Sequence, residues 1–472
     1  MNRKRRDLLC YKERVLPMLK AFVNVLKVKE LRDRVLFTAG IVVLVRIAAT
    51  IPCPGVDPAA LREYLAGLSG STAGGTLMNF FDMFSGGALE KFAIGTLGIM
   101  PYITASIIMQ LLVPVVPSLE KIQREGEAGR AKINQYTRYL TIAVCLFQGM
   151  AAALTMVNPS RIGLPTPKGS LFVGGETAFV FVTVLVLVAT TMVIMWLGEQ
   201  ITERGIGNGA SIIITINIIA RMPDAIISLV RMVLDQTDTN INLVKMLLLV
   251  IIFFAVTAAT VLLSLGYRRV PIQIARKSVG GQVRGGSTYL PLKVNFANVM
   301  PIIFAGAIMI VPNVVFSWCA GHMSWKGWSW LATSFGYGQS GYTILYGLLI
   351  IGFSFFWVST QFNPIQIAEN LKREGAYIPG IRPGEPTSQF LDDAMTRVTF
   401  GGAIFLTALA LFPMILTQIF NIPSLIGQFF GGTSLLIMVG VTLDTMRQME
   451  SHLTMRNYDG FLKSGRLHGR NG

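Results

Sequence analysis

A chain of 472 residues that is 52% hydrophobic and only 14% charged departs from soluble domains, which carry roughly 25% charged residues, and its mean hydropathy of +0.56 excludes a string of ordinary soluble domains. The 41 Lys and Arg against 25 Asp and Glu, a formal +16, leave nucleic acid, anionic lipid or cytoplasmic loops as the setting for the positive charge. Cys10, Cys53, Cys145 and Cys319 and His322, His452 and His468 stand apart without CxxC or clustered spacing, so neither a metal site nor a disulfide framework is expected; Cys53 and Cys319 could both face the outer side, but free thiols are the simpler reading.

A bilayer core about 30 Å thick takes about 20 apolar residues per helix. Residues 1–34 are basic, with eleven Lys or Arg, which holds this end in the cytoplasm. A cleaved signal peptide is rejected because the apolar run starts late and is followed by Ile-Pro-Cys-Pro-Gly. Five apolar runs follow, at 35–51, 92–113, 139–157, 178–197 and 210–227, and make a first half over 35–227. After an outer loop at 228–242, five more runs, at 243–265, 296–316, 342–362, 398–418 and 433–448, make a second half over 243–448, and 449–472 form a tail.

With the amino terminus inside, the cytoplasmic segments hold 32 of the 41 Lys and Arg, the outer segments and remaining helix edges hold eight, and Arg46 lies within the first run. That asymmetry fits ten spans with both termini cytoplasmic. Five is odd, so the second half crosses in the opposite sense to the first, the arithmetic of an inverted repeat. The fold class expected is therefore an all-α membrane protein of ten transmembrane helices in two inverted five-helix halves.

Between the first two runs, SGSTAGGTLMNFFDMFSGGALE at 69–90 is too short and glycine-rich to cross. Either it is a surface loop with an amphipathic turn, or it re-enters the membrane, which requires a covering of protein or water. Two cytoplasmic segments exceed simple turns. In 266–293 the alternating VPIQIA and central glycines predict a projecting β-hairpin, carrying Arg268, Arg269, Arg276, Lys277, Arg284 and Lys293. In 363–396, Lys372 and Arg373 precede the turn-rich IPGIRPGEPT, which puts Arg382 near an exposed tip. Such basic loops serve topology and anionic lipid, or dock an acidic or nucleic-acid-bearing partner. Charges within or beside the runs are few, namely Arg46, Asp444, Glu199 and Glu203, so no acidic path for a coupling ion is evident. There is no GxxxxGK[ST] loop and no nucleophile, base or metal constellation, so no enzyme activity and no cofactor are expected.

FFDMFSGGAL, LGIMPYITASIIMQLL, KINQYTRYLT, WLGEQITERGIGNGASIII, YLPLKVN, IPGIRPGE and FGGTSLLI, in that order, resemble the bacterial SecY family, central subunits of the Sec protein-conducting channel or translocon. The resemblance covers nearly the whole chain. It implies a clamshell hinged between the fifth and sixth spans, opening sideways between the second and seventh, in the bacterial cytoplasmic membrane. It implies a plug at about 76–90, including Phe80, Phe81, Met83, Phe84, Ser85, Gly86 and Gly87. The implied pore ring is Ile99, Ile103, Ile214, Ile303 and Ile437, with Ala210 at a position often isoleucine, and the implied lateral gate has Thr104, Gln148 and Asn295. Arg268, Arg269, Arg276, Lys277, Arg284, Lys372, Arg373 and Arg382 fall where the family meets the ribosome, through ribosomal RNA, or the ATPase SecA. Implied partners are SecE, SecG, signal peptides, unfolded preproteins and anionic lipid. The expected function is to move unfolded polypeptides across the membrane and release apolar segments sideways. A small-solute secondary transporter of inverted-repeat build and a membrane scaffold remain as alternatives.

Overall fold

The computed structural model describes residues 28–57, 60, 61, 63, 64, 82, 84–158, 171–173, 175–234, 243–274, 277–279, 282–284, 287–322, 326–336, 339–420, 427 and 432–464. Each of the ten apolar runs overlaps an α-helix. In the first half these are α1 (Lys29–Ala48), α2 (Met100–Val115), α4 (Glu127–Val157), α5 (Glu176–Arg204) and α6 (Gly209–Leu234), with a short α3 (Pro117–Arg124) bent 97° from α2. In the second half they are α7 (Leu243–Leu265), α8 (Met300–His322), α10 (Ser340–Gln361), α12 (Glu385–Phe420) and α13 (Gly432–Ser464), with α9 (Lys326–Ser334) and α11 (Pro364–Arg373) between them. Among the described residues, six helices (α4, α5, α6, α7, α10 and α12) are long and apolar enough to cross a membrane, and the bent pair α2 and α3 makes a seventh.

The same packing plan is used twice. In the first half α1 packs on α5 and α6, α2 on α4, α4 on α5, and α5 on α6. In the second half α7 packs on α12 and α13, α8 on α10, α10 on α12, and α12 on α13. The match goes down to the entry turns. Gly98 (φ 53°) and Asn298 (φ 57°) turn the chain into Met100-Pro101 and Met300-Pro301, the first residues of α2 and α8, where proline needs no intrahelical donor. The halves join where α6 packs against α7 and α13, whereas α2 and α8 share no extended packing.

Helix ends differ from the expected ones where polar turns extend an apolar run. Residues 385–396, expected as loop, are the first turns of α12, with Leu391, Ala394 and Met395 buried and Asp392 and Asp393 outward. α4 begins at Glu127, α6 runs to Leu234 and α13 runs to Ser464, into the expected tail. The run from Phe92 is helical only from Met100. Phe92 takes φ 43°, and the Gly95 N–H donates to the Ala48 carbonyl at 3.0 Å, an approach at which an added Cβ would sit 3.0 Å from that oxygen.

The expected hairpin forms as β1 (Tyr267–Ile274) antiparallel to β4 (Ser287–Lys293), extended by the smaller pair β2 (Lys277–Val279) and β3 (Gln282–Arg284). A two-residue strand, β5 (Ala376–Tyr377), adds to the free edge of β1 in the order β4-β1-β5. The two long loops thereby share one sheet and one apolar cluster, containing Val270, Leu292, Phe362, Ile378, Leu391 and Met395.

Candidate functional site: an apolar waist and a polar clamp

The largest apolar cluster gathers residues from both halves. Ile99 precedes α2 and Ile103 lies on its first turn; Ala210 and Ile214 come from α6, Ile303 from α8 and Ile437 from α13. Ile99, Ile214 and Ile437 are buried, and Ile103, Ala210 and Ile303 are partly buried against the same cluster. Ile103 and Ile303 occupy matching places, since each lies two residues past the Met-Pro that opens its helix. Phe84 belongs to this cluster too, which brings the 69–90 segment against it. Ile212 and Ile213 of α6 and Leu435 and Leu436 of α13 belong to the same cluster.

The described part of the glycine-rich segment is held by a polar clamp that the sequence reading does not contain. Arg46, in the last turn of α1, donates to the Gly86 carbonyl (3.0 Å) and to Asn217 Oδ1 (3.4 Å), while Asn217 Nδ2 donates to the Phe84 carbonyl (2.9 Å). Arg221, one turn beyond Asn217 on α6, pairs with buried Asp82 and engages Glu90 through Nη2–Oε1 (2.5 Å) and Nη1–Oε2 (3.2 Å). Its Nη1 also reaches Asp224 Oδ2 at 3.0 Å. Asp82 Oδ1 in turn accepts from the Leu89 and Glu90 N–H groups (3.1 and 3.3 Å) and from Ser85 Oγ (3.3 Å).

Gly86 and Gly87 make the close fit possible. Both have positive φ (69° and 88°), which glycine adopts without penalty. A Cβ on Gly86 would collide with Arg46 Nη1 and lie 3.0 Å from the Asn217 side chain, and one on Gly87 would rest 3.5 Å from the Arg221 side chain. The sequence signal for this clamp is an Asn and an Arg at i, i+4 in a largely apolar helix, which places two polar groups on one face. Phe80, Phe81 and Met83 lie outside the described residues.

Thr104 on α2 is half-buried and donates to its own Met100 carbonyl (3.0 Å). Gln148 is half-buried on α4, which packs against α2, and Asn295 is buried just before α8, its amide nitrogen unpartnered among the described residues. No hydrogen bond joins these three among the described residues. Glu199 is held by Arg138 through two 2.8 Å contacts that tie α5 to α4, and Asp444 accepts from Asn298 Nδ2 at 3.1 Å. Cys53, Cys145 and Cys319 are buried free thiols. Outside the spans, burial pushes the Cys53 thiol up, only partly offset by its contact with Thr183.

On the sheet, Arg268 and Arg269 are exposed, and Arg269 lies over the rings of Tyr267 and Tyr289 (5.2 and 4.9 Å), a cation–π stack. Lys277 and Arg284 are paired in register across β2 and β3; Arg276 lies outside the described residues. Lys372 and Arg373 end α11, and Arg382 is exposed between Gly380 (φ 84°) and Gly384 (φ 110°), its carbonyl accepting from Thr387 Oγ1 at 2.8 Å. Because β5 is joined to β1, the loop that carries Lys372, Arg373 and Arg382 is tied to the sheet that carries Arg268 and Arg269.

A family model described as SecY matches residues 93–446. The chain is 43% identical over 444 residues to the protein translocase subunit SecY of Escherichia coli (strain K12), covering 93% of this chain and 96% of that one. It is 40% identical over 456 residues to the subunit of the same name from Chlamydia trachomatis serovar D, covering 95% and 99%. A solved structure described as that of a protein conducting channel has a TM-score of 0.59 at 17% identity, covering 89% of this chain and 92% of that one. Another, of SecY with a plug domain said to stabilise the closed channel and maintain a membrane seal, has a TM-score of 0.58 at 19% identity, with the same coverage.

Proposed function

The chain belongs to the SecY family, and on that premise we propose that it is the pore-forming subunit of a protein translocase, passing unfolded polypeptides across the bacterial cytoplasmic membrane and releasing apolar segments sideways into lipid. The observation that supports this reading is the apolar cluster in which isoleucines of α2, α6, α8 and α13, from both halves, come together with Phe84; in this reading it is the waist of the pore. An unfolded chain carries unpaired backbone groups that cost several kcal/mol each in hydrocarbon, so it needs an aqueous path with one narrow seal. Branched apolar side chains make weak, nondirectional contacts, so they can surround any sequence without retaining it.

Ten spans with both termini inside are read from the charge asymmetry, and the doubled packing plan supports a division into two similar halves. The halves join along α6, α7 and α13 and lack extended packing between α2 and α8, which fits a hinge on one side and a lateral exit on the other. Thr104, Gln148 and Asn295 line that exit in this reading. An apolar segment leaves through it because each Leu or Ile gains about 0.3 to 0.6 kcal/mol in the bilayer centre. Residues about 76–90 are the plug. The cations of the shared sheet, with Arg382 at its exposed turn, dock the ribosome or the ATPase SecA, and SecE and SecG complete the complex. In this reading the driving force comes from those partners or from the membrane potential.

The test is reconstitution in proteoliposomes with the small subunits, SecA and ATP. A signal-bearing preprotein becomes protease-protected inside the vesicles. Counterflow of a small solute that is indifferent to signal peptides would instead support a secondary transporter.

A further inference from the structure

We propose that Arg221 is an ionic latch, a positioning residue whose pairing with Asp82 and Glu90 holds segment 82–90 against the waist and sets how often the idle channel opens. The inference rests on reading that segment as the plug. Phe84 supplies apolar contact, but apolar contact is nondirectional and does not fix a register.

The charges fix it. Arg221 and Asp82 are both more than nine-tenths buried, and together with Glu90 and Asp224 they place three carboxylates around one guanidinium. Asp82 does two jobs at once, because the carboxylate that meets Arg221 also closes the local turn onto Leu89, Glu90 and Ser85. The turn's shape and its attachment to α6 are therefore a single arrangement, made or lost together. Removing one member of a buried pair leaves the other charged and uncompensated, which is strongly unfavourable. The pairing is nonetheless releasable, since on displacement Asp82 and Glu90 move to water and Arg221 retains Asp224.

The test uses the full complex in proteoliposomes, without the four native cysteines, carrying Ala88→Cys at a fully buried position whose side chain takes no part in the clamp, and reads labelling by a membrane-impermeant maleimide from the outer side. Arg221→Met is expected to raise the idle labelling rate about 100-fold. Arg221→Lys, which keeps the charge, gives a smaller rise. Glu90→Gln, at a half-exposed carboxylate where misfolding is no concern, gives a rise of several-fold. Arg221→Met combined with Asp82→Asn, which removes both buried charges, is expected to label more slowly than Arg221→Met alone, a coupling that mere loss of packing does not produce.

Idle rates unchanged in both Arg221→Lys and Glu90→Gln overturn the latch. A stalled preprotein on the otherwise unsubstituted channel separates the two ideas. If it accelerates Ala88→Cys labelling while Arg221→Met does not, the plug stands and the latch falls. If it leaves labelling unchanged, the plug reading falls first.

Discussion

Replacing Gly86 with Ala tests how segment 82–90, the proposed plug, is seated, through its positive-φ backbone and its contact with Arg46. At φ 69° an L-residue incurs about 1 to 2 kcal/mol. The new Cβ also displaces Arg46 Nη1, which donates to the Gly86 carbonyl at 3.0 Å, and a hydrogen bond to a charged donor contributes about 1.5 to 3 kcal/mol. Together they weaken the seat by about 3 kcal/mol, roughly a 150-fold shift toward the displaced plug. Gly87→Ala carries only the backbone strain, because its Cβ would meet Arg221 at an ordinary 3.5 Å, so its shift is about tenfold. Idle ion conductance in planar bilayers, compared at equal channel number, measures both. Equal conductance of the two variants, or no increase over the parent in Gly86→Ala, refutes the Arg46 contact as part of the seat.

Arg382→Glu is expected to impair SecA-driven export with little change in abundance or membrane insertion; normal export removes Arg382 from docking. Asn in place of Ile103 or Ile303 puts a polar group at matched places in the waist and makes the resting channel leak ions, and unchanged conductance excludes them from the seal. Leu391→Ala, at a fully buried position in the apolar cluster shared with the β-sheet, loosens the packing of the two long loops by about 2 to 5 kcal/mol, seen as faster proteolysis at those loops with intact membrane spans. Cys53, buried and with its thiol pushed up by that burial, is expected to label with maleimide more slowly than an exposed cysteine at neutral pH, whereas equal labelling shows that the segment around it opens.

Much of the fold was legible because an apolar run announces a helix, but hydropathy is silent about polar turns. The first turns of α12 bury Leu391, Ala394 and Met395 against the sheet while pointing Asp392 and Asp393 to water, and amphipathic turns of that kind read as loop. The hairpin declared itself through VPIQIA, whereas β5, two residues long, leaves no period to detect. The waist positions were reached by resemblance, since nothing distinguishes a pore-lining isoleucine from a lipid-facing one. The clamp was missed because an ion pair between Asp82 and Arg221 exists only after the chain folds α6 against the glycine-rich segment. The repeat left a trace in Met100-Pro101 and Met300-Pro301, too short to stand out before the matching turns at Gly98 and Asn298 were seen.

A preprotein stalled midway, carrying one photoreactive residue, bears most directly on the central claim. Crosslinks to probes at Ile103, Ile303 and Ile437, and none to the exposed Phe147 or Phe181 while the segment is polar, are the predicted result. A stalled chain that never meets those isoleucines, or that meets the two exposed phenylalanines instead, contradicts it.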